Sequence, residues 1–139
     1  MRKEKEIKTT SDGKEILYFY NSNNQLIQVS LRGETEAIST IYSYDPNSNQ
    51  TKVSYPNGVT AEYSYNNRNW LTSLSNKKWT TILSSSPYSY DLVGNRTKVI
   101  EADGSSIDYQ YDSLYQLICE ERKGSNSYKK TYTYDKAIE

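Results

Sequence analysis

Apolar and polar residues alternate along much of this chain with a period of two, and the alternation is clearest around tyrosine. A Tyr-x-Tyr pair recurs six times, and successive second tyrosines lie 24, 21, 25, 21 and 23 residues apart. The pairs are Tyr18/Tyr20, Tyr42/Tyr44, Tyr63/Tyr65, Tyr88/Tyr90, Tyr109/Tyr111 and Tyr132/Tyr134. Side chains two residues apart share one face of a strand, and a steady period of this length indicates tandem repeats. We predict six repeats, each with a tyrosine-bearing strand.

A second strand is predicted after each tyrosine pair. Nine residues beyond the second tyrosine, four repeats carry an apolar residue, and two residues earlier an apolar or β-branched one. These positions are Val29, Val53, Leu74 and Val99, and Ile27, Thr51, Thr72 and Thr97. Hairpin turns are indicated at Asp12-Gly13, Asn57-Gly58 and Asp103-Gly104, because Asn-Gly and Asp-Gly are strong turn sequences. Each repeat is thus strand, turn, strand, turn, and the predicted fold class is all-β with tandem antiparallel hairpins.

An aspartate or asparagine directly follows each tyrosine pair. Four repeats have aspartate (Asp45, Asp91, Asp112, Asp135) and two have asparagine (Asn21, Asn66). Either side chain can accept a hydrogen bond from the backbone N–H two residues on and so close an Asx turn. Because asparagine replaces aspartate freely here, the pattern favours turn formation over metal binding or acid–base catalysis.

The third repeat is irregular. It lacks the turn glycine, contains Trp70 and Trp79, and runs through Ser-Ser-Ser-Pro at 84–87 before the next tyrosine pair. We expect a bulged or lengthened loop there, with Pro87 at an edge or turn position. The two tryptophans are also candidates for carbohydrate contact, the alternative to packing in aromatic ladders between repeats.

Composition excludes several classes of function. The 17 basic and 17 acidic residues cancel, which disfavours a nucleic-acid partner. The chain has no histidine and one cysteine, Cys119, which we expect to be a small buried apolar residue. No catalytic, metal or cofactor site is predicted, and the chain is not expected to be an enzyme. No stretch resembles a membrane span or a signal peptide.

The residues around the fourth and fifth tyrosine pairs resemble a YD (RHS) repeat. The stretch 88–99 reads Tyr-Ser-Tyr-Asp-Leu-Val-Gly-Asn-Arg-Thr-Lys-Val, and Asp103-Gly104 and Tyr109-Gln-Tyr-Asp follow it. The repeat-defining positions here include Asp91, Gly94, Asn95, Arg96, Gly104 and Asp112, with Gly58 in an earlier copy. Looser copies extend the resemblance from about residue 11 to the end of the sequence. Choline-binding and MORN repeats fit less well, because the chain has six glycines and two tryptophans.

The resemblance implies a β-sheet strip that spirals into a hollow shell. Such shells occur in bacterial polymorphic toxins, toxin-complex components, wall-associated proteins and teneurins, and in the bacterial toxins they enclose a C-terminal toxin or effector domain. The implied partners are the remaining shell repeats and that domain, with cell-surface glycans as the alternative. The implied location is secreted or cell-surface, as part of a longer protein.

Two features of a complete family member are missing from residues 1–139. We find neither the Asp-Pro-x-Gly-Leu type boundary that precedes the toxin nor a toxin domain. We therefore expect a single repeat region over 1–139 that is incomplete at its C-terminus. An incomplete sheet presents open edges, so self-association of the isolated chain is also expected.

Overall fold

Within the ranges that the computed structural model describes, 3–33 and 37–135, all the regular secondary structure is β-strand, so the predicted all-β class is confirmed. These ranges contain twelve strands: β1 (Lys3–Thr9), β2 (Glu15–Tyr20), β3 (Leu26–Arg32), β4 (Ile38–Tyr44), β5 (Gln50–Ser54), β6 (Val59–Tyr65), β7 (Leu71–Lys78), β8 (Thr81–Tyr90), β9 (Arg96–Ile100), β10 (Ser106–Tyr111), β11 (Leu117–Lys123) and β12 (Tyr128–Thr131). No helix in the described ranges has the length and apolar character needed to cross a bilayer.

The strands pair in chain order, so that each of β2 to β11 is hydrogen-bonded to the strand before it and the strand after it. The pairing is antiparallel, as the predicted succession of hairpins requires. The chain forms two compact units by its internal contacts. The first comprises Met1–Tyr63 and Asn76–Ile82, and the second comprises Ser64–Ser75 and Leu83–Glu139.

In the first unit, the tyrosine-bearing face is the apolar face of the sheet. Val53 lies opposite Tyr42 on β4 and opposite Ala61 on β6, so the three side chains share that face. Val53 and Ala61 are 3% and 4% exposed. Neighbouring residues point the other way, and there Lys52 forms an ion pair with Glu62 at 3.4 Å. One face therefore buries small apolar side chains, and the other carries charges.

The second unit repeats this arrangement. Val99 lies opposite Tyr88 and opposite Ile107 and is buried. On the other face, Lys98 forms an ion pair with Asp108 at 3.7 Å. Cys119 is buried on β11, which confirms the prediction of a small buried apolar residue.

The Asp-Gly and Asn-Gly sequences form three-residue hairpin loops. In each loop the N–H of the first residue donates to the carbonyl of the fifth, and the glycine N–H donates to the carbonyl of the first. Together with the paired residue on either side, the three loops span 10–14, 55–59 and 101–105, and their glycines have φ of +79°, +79° and +83°. A turn closed by a left-handed residue is a common three-residue hairpin connection. These turns therefore lie where the sequence predicts them.

The segment from β7 to β8 corrects the prediction of a loop in the third repeat. β7 and β8 have 8 and 10 residues and are joined by a short turn at Trp79 and Thr80. Ser84, Ser85, Ser86 and Pro87 lie inside β8. Because β8 is paired on both sides, its neighbours hold a serine-rich stretch in the strand conformation despite its low intrinsic preference.

Candidate functional site: the repeat junctions

The turns that follow the tyrosine pairs share one backbone geometry. In each, the first residue donates its N–H to the carbonyl of the fifth, and the fourth donates its N–H to the carbonyl of the first. The five turns with this geometry are 21–25, 45–49, 66–70, 91–95 and 112–116. Their fourth residues all have positive φ: Asn24, Ser48, Asn69, Gly94 and Tyr115. We call these five segments the Asx turns.

The side chain of Asp91 organises its whole turn. Its Oδ1 accepts hydrogen bonds from the backbone N–H groups of Val93, Gly94 and Asn95, at 3.0, 2.9 and 2.9 Å. Its Oδ2 accepts a fourth bond from the Asn95 side-chain amide at 2.9 Å. The carboxylate is therefore fully engaged by its own turn.

The first Asx turn shows how asparagine serves at the same position. Asn21 Oδ1 accepts from the backbone N–H groups of Asn23 and Gln25, both at 3.0 Å. Its Nδ2 donates to the Gln25 side-chain oxygen at 2.7 Å, the reverse of the side-chain bond between Asn95 and Asp91. Both residue types thus keep the bonds to the backbone, which explains why aspartate and asparagine alternate here.

Hydrogen bonding lowers the pKa of two of these carboxyl groups. For Asp45, the Asn49 side-chain amide is the main cause, and backbone N–H groups add to it. For Asp91, partial burial raises the pKa, but the Asn95 amide and the backbone N–H groups of the turn outweigh burial, so the net pKa is lowered. Both turns therefore favour the ionised carboxylate.

A β-bulge lies directly beside the second tyrosine of most pairs. On β2 and β3, Phe19 pairs with Gln28 and Tyr20 with Leu26, which leaves Ile27 without an opposite residue. The same one-residue shift leaves out Thr51, Thr97 and Ile118 in the later repeats. A bulge bends and twists the strand that carries it. These four repeats therefore carry a bulge at the same position.

The second tyrosine of a pair also binds the backbone of the preceding repeat. The hydroxyl groups of Tyr44, Tyr90, Tyr111 and Tyr134 donate to the carbonyl oxygens of Leu26, Leu71, Arg96 and Leu117, at 2.8, 2.7, 2.9 and 2.8 Å. In three of the four cases, the accepting residue immediately precedes a bulge residue. We call an Asx turn together with the tyrosine hydroxyl that binds beside it a repeat junction.

Burial of these hydroxyl groups raises the pKa of Tyr44, Tyr90 and Tyr111. The neutral phenol, which can donate, is therefore the favoured form in the folded chain. Phenylalanine would fill the same space but could not donate this bond. The requirement fits the composition, which has 15 tyrosines and one phenylalanine.

The last tyrosine pair lies beyond the end of β12. Even so, the Tyr132 N–H donates to the Ile118 carbonyl at 3.1 Å, and the Tyr134 hydroxyl makes the junction bond to Leu117. Asp135, the last residue that the structure describes, is exposed.

Trp70 is part of a junction in the second unit. Its indole packs so closely on Gly94 that a Cβ at that position would lie 2.8 Å from the ring. The ring is tilted at 45° to the Tyr90 ring, with centroids 5.4 Å apart, and the Arg68 guanidinium lies 5.1 Å from its centroid. Trp70 is therefore largely occupied by packing between repeats.

Trp79 lies at the tip of the hairpin formed by β7 and β8, in the first unit. Its side chain is 75% exposed, although one edge of the indole packs on Gly58. The Trp79 backbone N–H donates to the Gly58 carbonyl at 3.1 Å, and the φ of Trp79 is +56°. Of the two predicted carbohydrate-contact residues, Trp79 is the one with a free aromatic surface.

Arg96 joins the two tyrosine rings beside it. Its guanidinium lies 5.7 Å from the Tyr88 centroid and 5.0 Å from the Tyr109 centroid, distances at which a cation is attracted to a ring face. Its carbonyl accepts the Tyr111 junction bond. The repeat-defining residues Gly94, Asn95 and Arg96 thus all take part in contacts between or within repeats.

The side chains of the described residues offer little to a metal ion. Three or more Cys, Asp or Glu residues do not come together in a metal-binding group within 7–33 and 37–135, where the side chains are described. The buried side-chain polar atoms in the same ranges all have hydrogen-bond partners.

One protein-family model matches part of the sequence. The family model described as RHS Repeat matches residues 20–60 and 44–78, a stretch that covers somewhat less than half of the chain. No curated protein matches.

Solved structures share the fold. The chain is similar to a chain of the Photorhabdus luminescens Tc holotoxin pore, with 24% identity and a TM-score of 0.71 over 82% of this chain. It is also similar to a chain of the TcdB2-TccC3 structure, with 23% identity and a TM-score of 0.75 over 93% of this chain. The present chain spans only 6% and 8% of those chains.

Proposed function

The chain carries RHS repeats, and we propose that it is a structural section of an RHS/YD β-shell that encloses or presents a toxin or effector domain lying outside these residues. The repeat junctions carry this proposal. The tyrosine hydroxyl bonds join four of the repeats to the repeat before them, and the carboxylates of Asp91 and Asp112 are used by their own turns. The polar residues that recur with the repeat thus act on the sheet itself and not on a substrate.

Similarity to the chains of the two toxin structures supports this proposal at the level of the fold. We infer that the partners are further shell repeats and the enclosed domain. We also infer that the protein acts outside the cytoplasm, secreted or at the cell surface, as part of a longer polypeptide. Neither catalysis nor a cofactor is part of the role proposed for this section.

Limited proteolysis of the product of the complete reading frame tests the shell. We expect a non-repeat domain to remain uncut while it is associated with the repeats, and to be cut rapidly once urea has dissociated them. The matched control is that domain expressed alone, which should be cut without delay. A reading frame with no non-repeat domain, or a domain cut equally fast with and without the repeats, would refute the enclosing role.

A second candidate function is carbohydrate binding at the cell surface, which the exposure of Trp79 favours. Exposed indole rings can stack on the apolar faces of sugars. A glycan array comparing the unmodified chain with Trp79→Ala and Trp70→Ala tests this function. Loss of a signal in Trp79→Ala alone would support it, whereas equal binding by the three proteins, or none by any, would count against it.

We also propose that the isolated chain self-associates through open strands. β12 is hydrogen-bonded to β11 alone among the described strands, and its residues Lys129 and Lys130 are exposed. Unpaired backbone groups on an edge strand can pair with another chain, although lysine weakens this tendency. Light scattering coupled to size exclusion should show a mass that rises with concentration, and a constant monomer mass would refute the proposal.

A further inference from the structure

The three glycine turns of the hairpins differ in one residue that matters chemically. The residue before the glycine is aspartate at Asp12 and Asp103 but asparagine at Asn57. All three turns have the same backbone hydrogen bonds and the same left-handed glycine. Asn57 thus has a side-chain amide at the position where the two equivalent turns have a carboxylate.

An asparagine followed by glycine can modify itself without any enzyme or oxidant. The Gly58 backbone nitrogen attacks the Asn57 side-chain carbon Cγ, the bond from Cγ to Nδ2 breaks, and ammonia leaves with the proton from the attacking N–H. Water then opens the five-membered succinimide at either carbonyl and gives aspartate or isoaspartate. Glycine has no side chain to hinder the attack and adopts unusual backbone angles easily, so this dipeptide is chemically the most reactive of its kind.

The folded turn keeps both reacting groups occupied. The attacking group, the Gly58 N–H, donates to the Tyr55 carbonyl at 3.1 Å. The group under attack, the Asn57 side-chain amide, is held in place because its Oδ1 accepts a hydrogen bond from the Val59 N–H at 3.1 Å. Attack on Cγ requires the first bond to break and the Asn57 side chain to turn, so the reaction has to proceed from a locally opened turn.

Trp79 covers this turn, whereas the two equivalent turns have no cover. A Cβ built on Gly58 would lie 2.6, 2.7 and 2.9 Å from three atoms of the indole, whereas a Cβ on Gly13 or Gly104 would meet nothing within 4 Å. Trp79 also binds the turn through its backbone N–H, which donates to the Gly58 carbonyl at 3.1 Å. The ring and this hydrogen bond together oppose opening of the turn.

We propose that Asn57 is a site of spontaneous deamidation and that Trp79, as a positioning residue, slows the reaction by packing on Gly58. The inference is independent of the shell function proposed above, since it concerns one turn of the first unit. The two products have different consequences. Aspartate at residue 57 reproduces the state of Asp12 and Asp103, whereas isoaspartate inserts a methylene group into the backbone and disrupts the turn.

Peptide mass spectrometry of the full chain, incubated at mildly alkaline pH, tests the proposal. The key variant is Trp79→Gly, because glycine adopts the left-handed backbone of residue 79 without strain while the ring is lost. The matched control is Trp70→Ala, which removes an indole from a different glycine, Gly94. Asn57→Asp should abolish the mass change and so confirms that it arises at Asn57. The chain unfolded in urea gives the deamidation rate without protection by the fold.

We expect Asn57 to react in Trp79→Gly about three- to tenfold faster than in the unmodified chain, because loss of one aromatic contact raises the open population by about that factor. Trp70→Ala should leave the rate unchanged. If Trp79→Gly unfolds, Trp79→Asn decides, because asparagine tolerates the left-handed backbone of residue 79 and also removes the ring. A rate in the folded Trp79→Gly or Trp79→Asn variant equal to that in Trp70→Ala would overturn the proposal.

Discussion

The Tyr90 hydroxyl donates a hydrogen bond to the Leu71 carbonyl across 2.7 Å, and so joins β8 to the start of β7. The same bond joins Tyr44 to Leu26, Tyr111 to Arg96 and Tyr134 to Leu117. Residues 15 to 19 positions apart are thereby fixed to each other in each case. The bond gives the tyrosine of the repeat a role that its ring alone does not have.

Replacement of this hydroxyl should weaken the fold without changing its shape. Tyr90→Phe keeps the ring but leaves the Leu71 carbonyl without its phenol donor. We expect the free energy of unfolding to fall by about 0.5–1.5 kcal/mol, the usual net contribution of such a bond. Urea denaturation measures the change, with Tyr88→Phe as the control because that variant keeps the ring that Arg96 covers. An equal loss in the two variants would mean that the Tyr90 bond has no special role.

The Asx turns should tolerate asparagine better than alanine. Asp91→Asn keeps an Oδ1 that accepts from the backbone, as Asn21 does, so at neutral pH its urea midpoint should fall only by the contribution of the charge and stay well above that of Asp91→Ala. Asp91→Ala removes all four bonds to the side chain and should lower the midpoint clearly. Equal damage from both substitutions would show that the charge is what matters.

Gly94 should tolerate a methyl group less well than Gly104. Both glycines have positive φ, +104° and +83°, and alanine at Gly104 should cost about 1–2 kcal/mol from left-handed strain alone. At Gly94 the added Cβ would also meet the Trp70 ring at 2.8 Å, and overpacking adds about 1–3 kcal/mol. Thermal unfolding of both variants tests the order. In the double variant Trp70→Ala, Gly94→Ala, the extra destabilisation caused by the methyl group at residue 94 should be smaller. A loss of stability equal to the sum of the two single losses would contradict the contact.

Acid should destabilise the chain through its turn carboxylates. The pKa values of Asp45 and Asp91 are lowered in the folded chain, so their contribution to stability is present above the unfolded pKa of about 3.9 and is lost as the pH falls through the folded values. The urea concentration at the unfolding midpoint should therefore decrease when the pH is lowered below about 4. The double variant Asp45→Asn, Asp91→Asn should show a shallower drop, and an identical pH profile would exclude these turns as the cause.

The sequence predicts the strands and turns well because both depend on local chemistry. Alternation of Tyr42 and Tyr44, and of Thr51 and Val53, is a direct consequence of strand geometry, and the structure places these residues on β4 and β5. The Asx turns follow from the hydrogen-bonding reach of a short side chain, which needs no distant partner.

The features that the sequence analysis missed depend on contacts between repeats. The sequence predicts a bulged or lengthened loop at 84–87 because a serine-rich stretch has little strand preference of its own, whereas pairing of β8 on both sides decides its conformation. The junction bond of Tyr90 was also missed, although the ratio of 15 tyrosines to one phenylalanine pointed to a need for the hydroxyl. Neither the residue spacing nor the composition of the sequence indicates the contact of Trp70 with Gly94.

Strand order equal to chain order has a consequence for assembly and disassembly. Each strand pairs only with its immediate neighbours in sequence, so the sheet can grow strand by strand behind a nucleus. The same order allows the sheet to be unzipped from an end, since removal of one terminal strand breaks one ladder and leaves the next intact. A polypeptide of this kind can be extended or shortened by whole hairpins during evolution, and can be drawn out under tension in small steps.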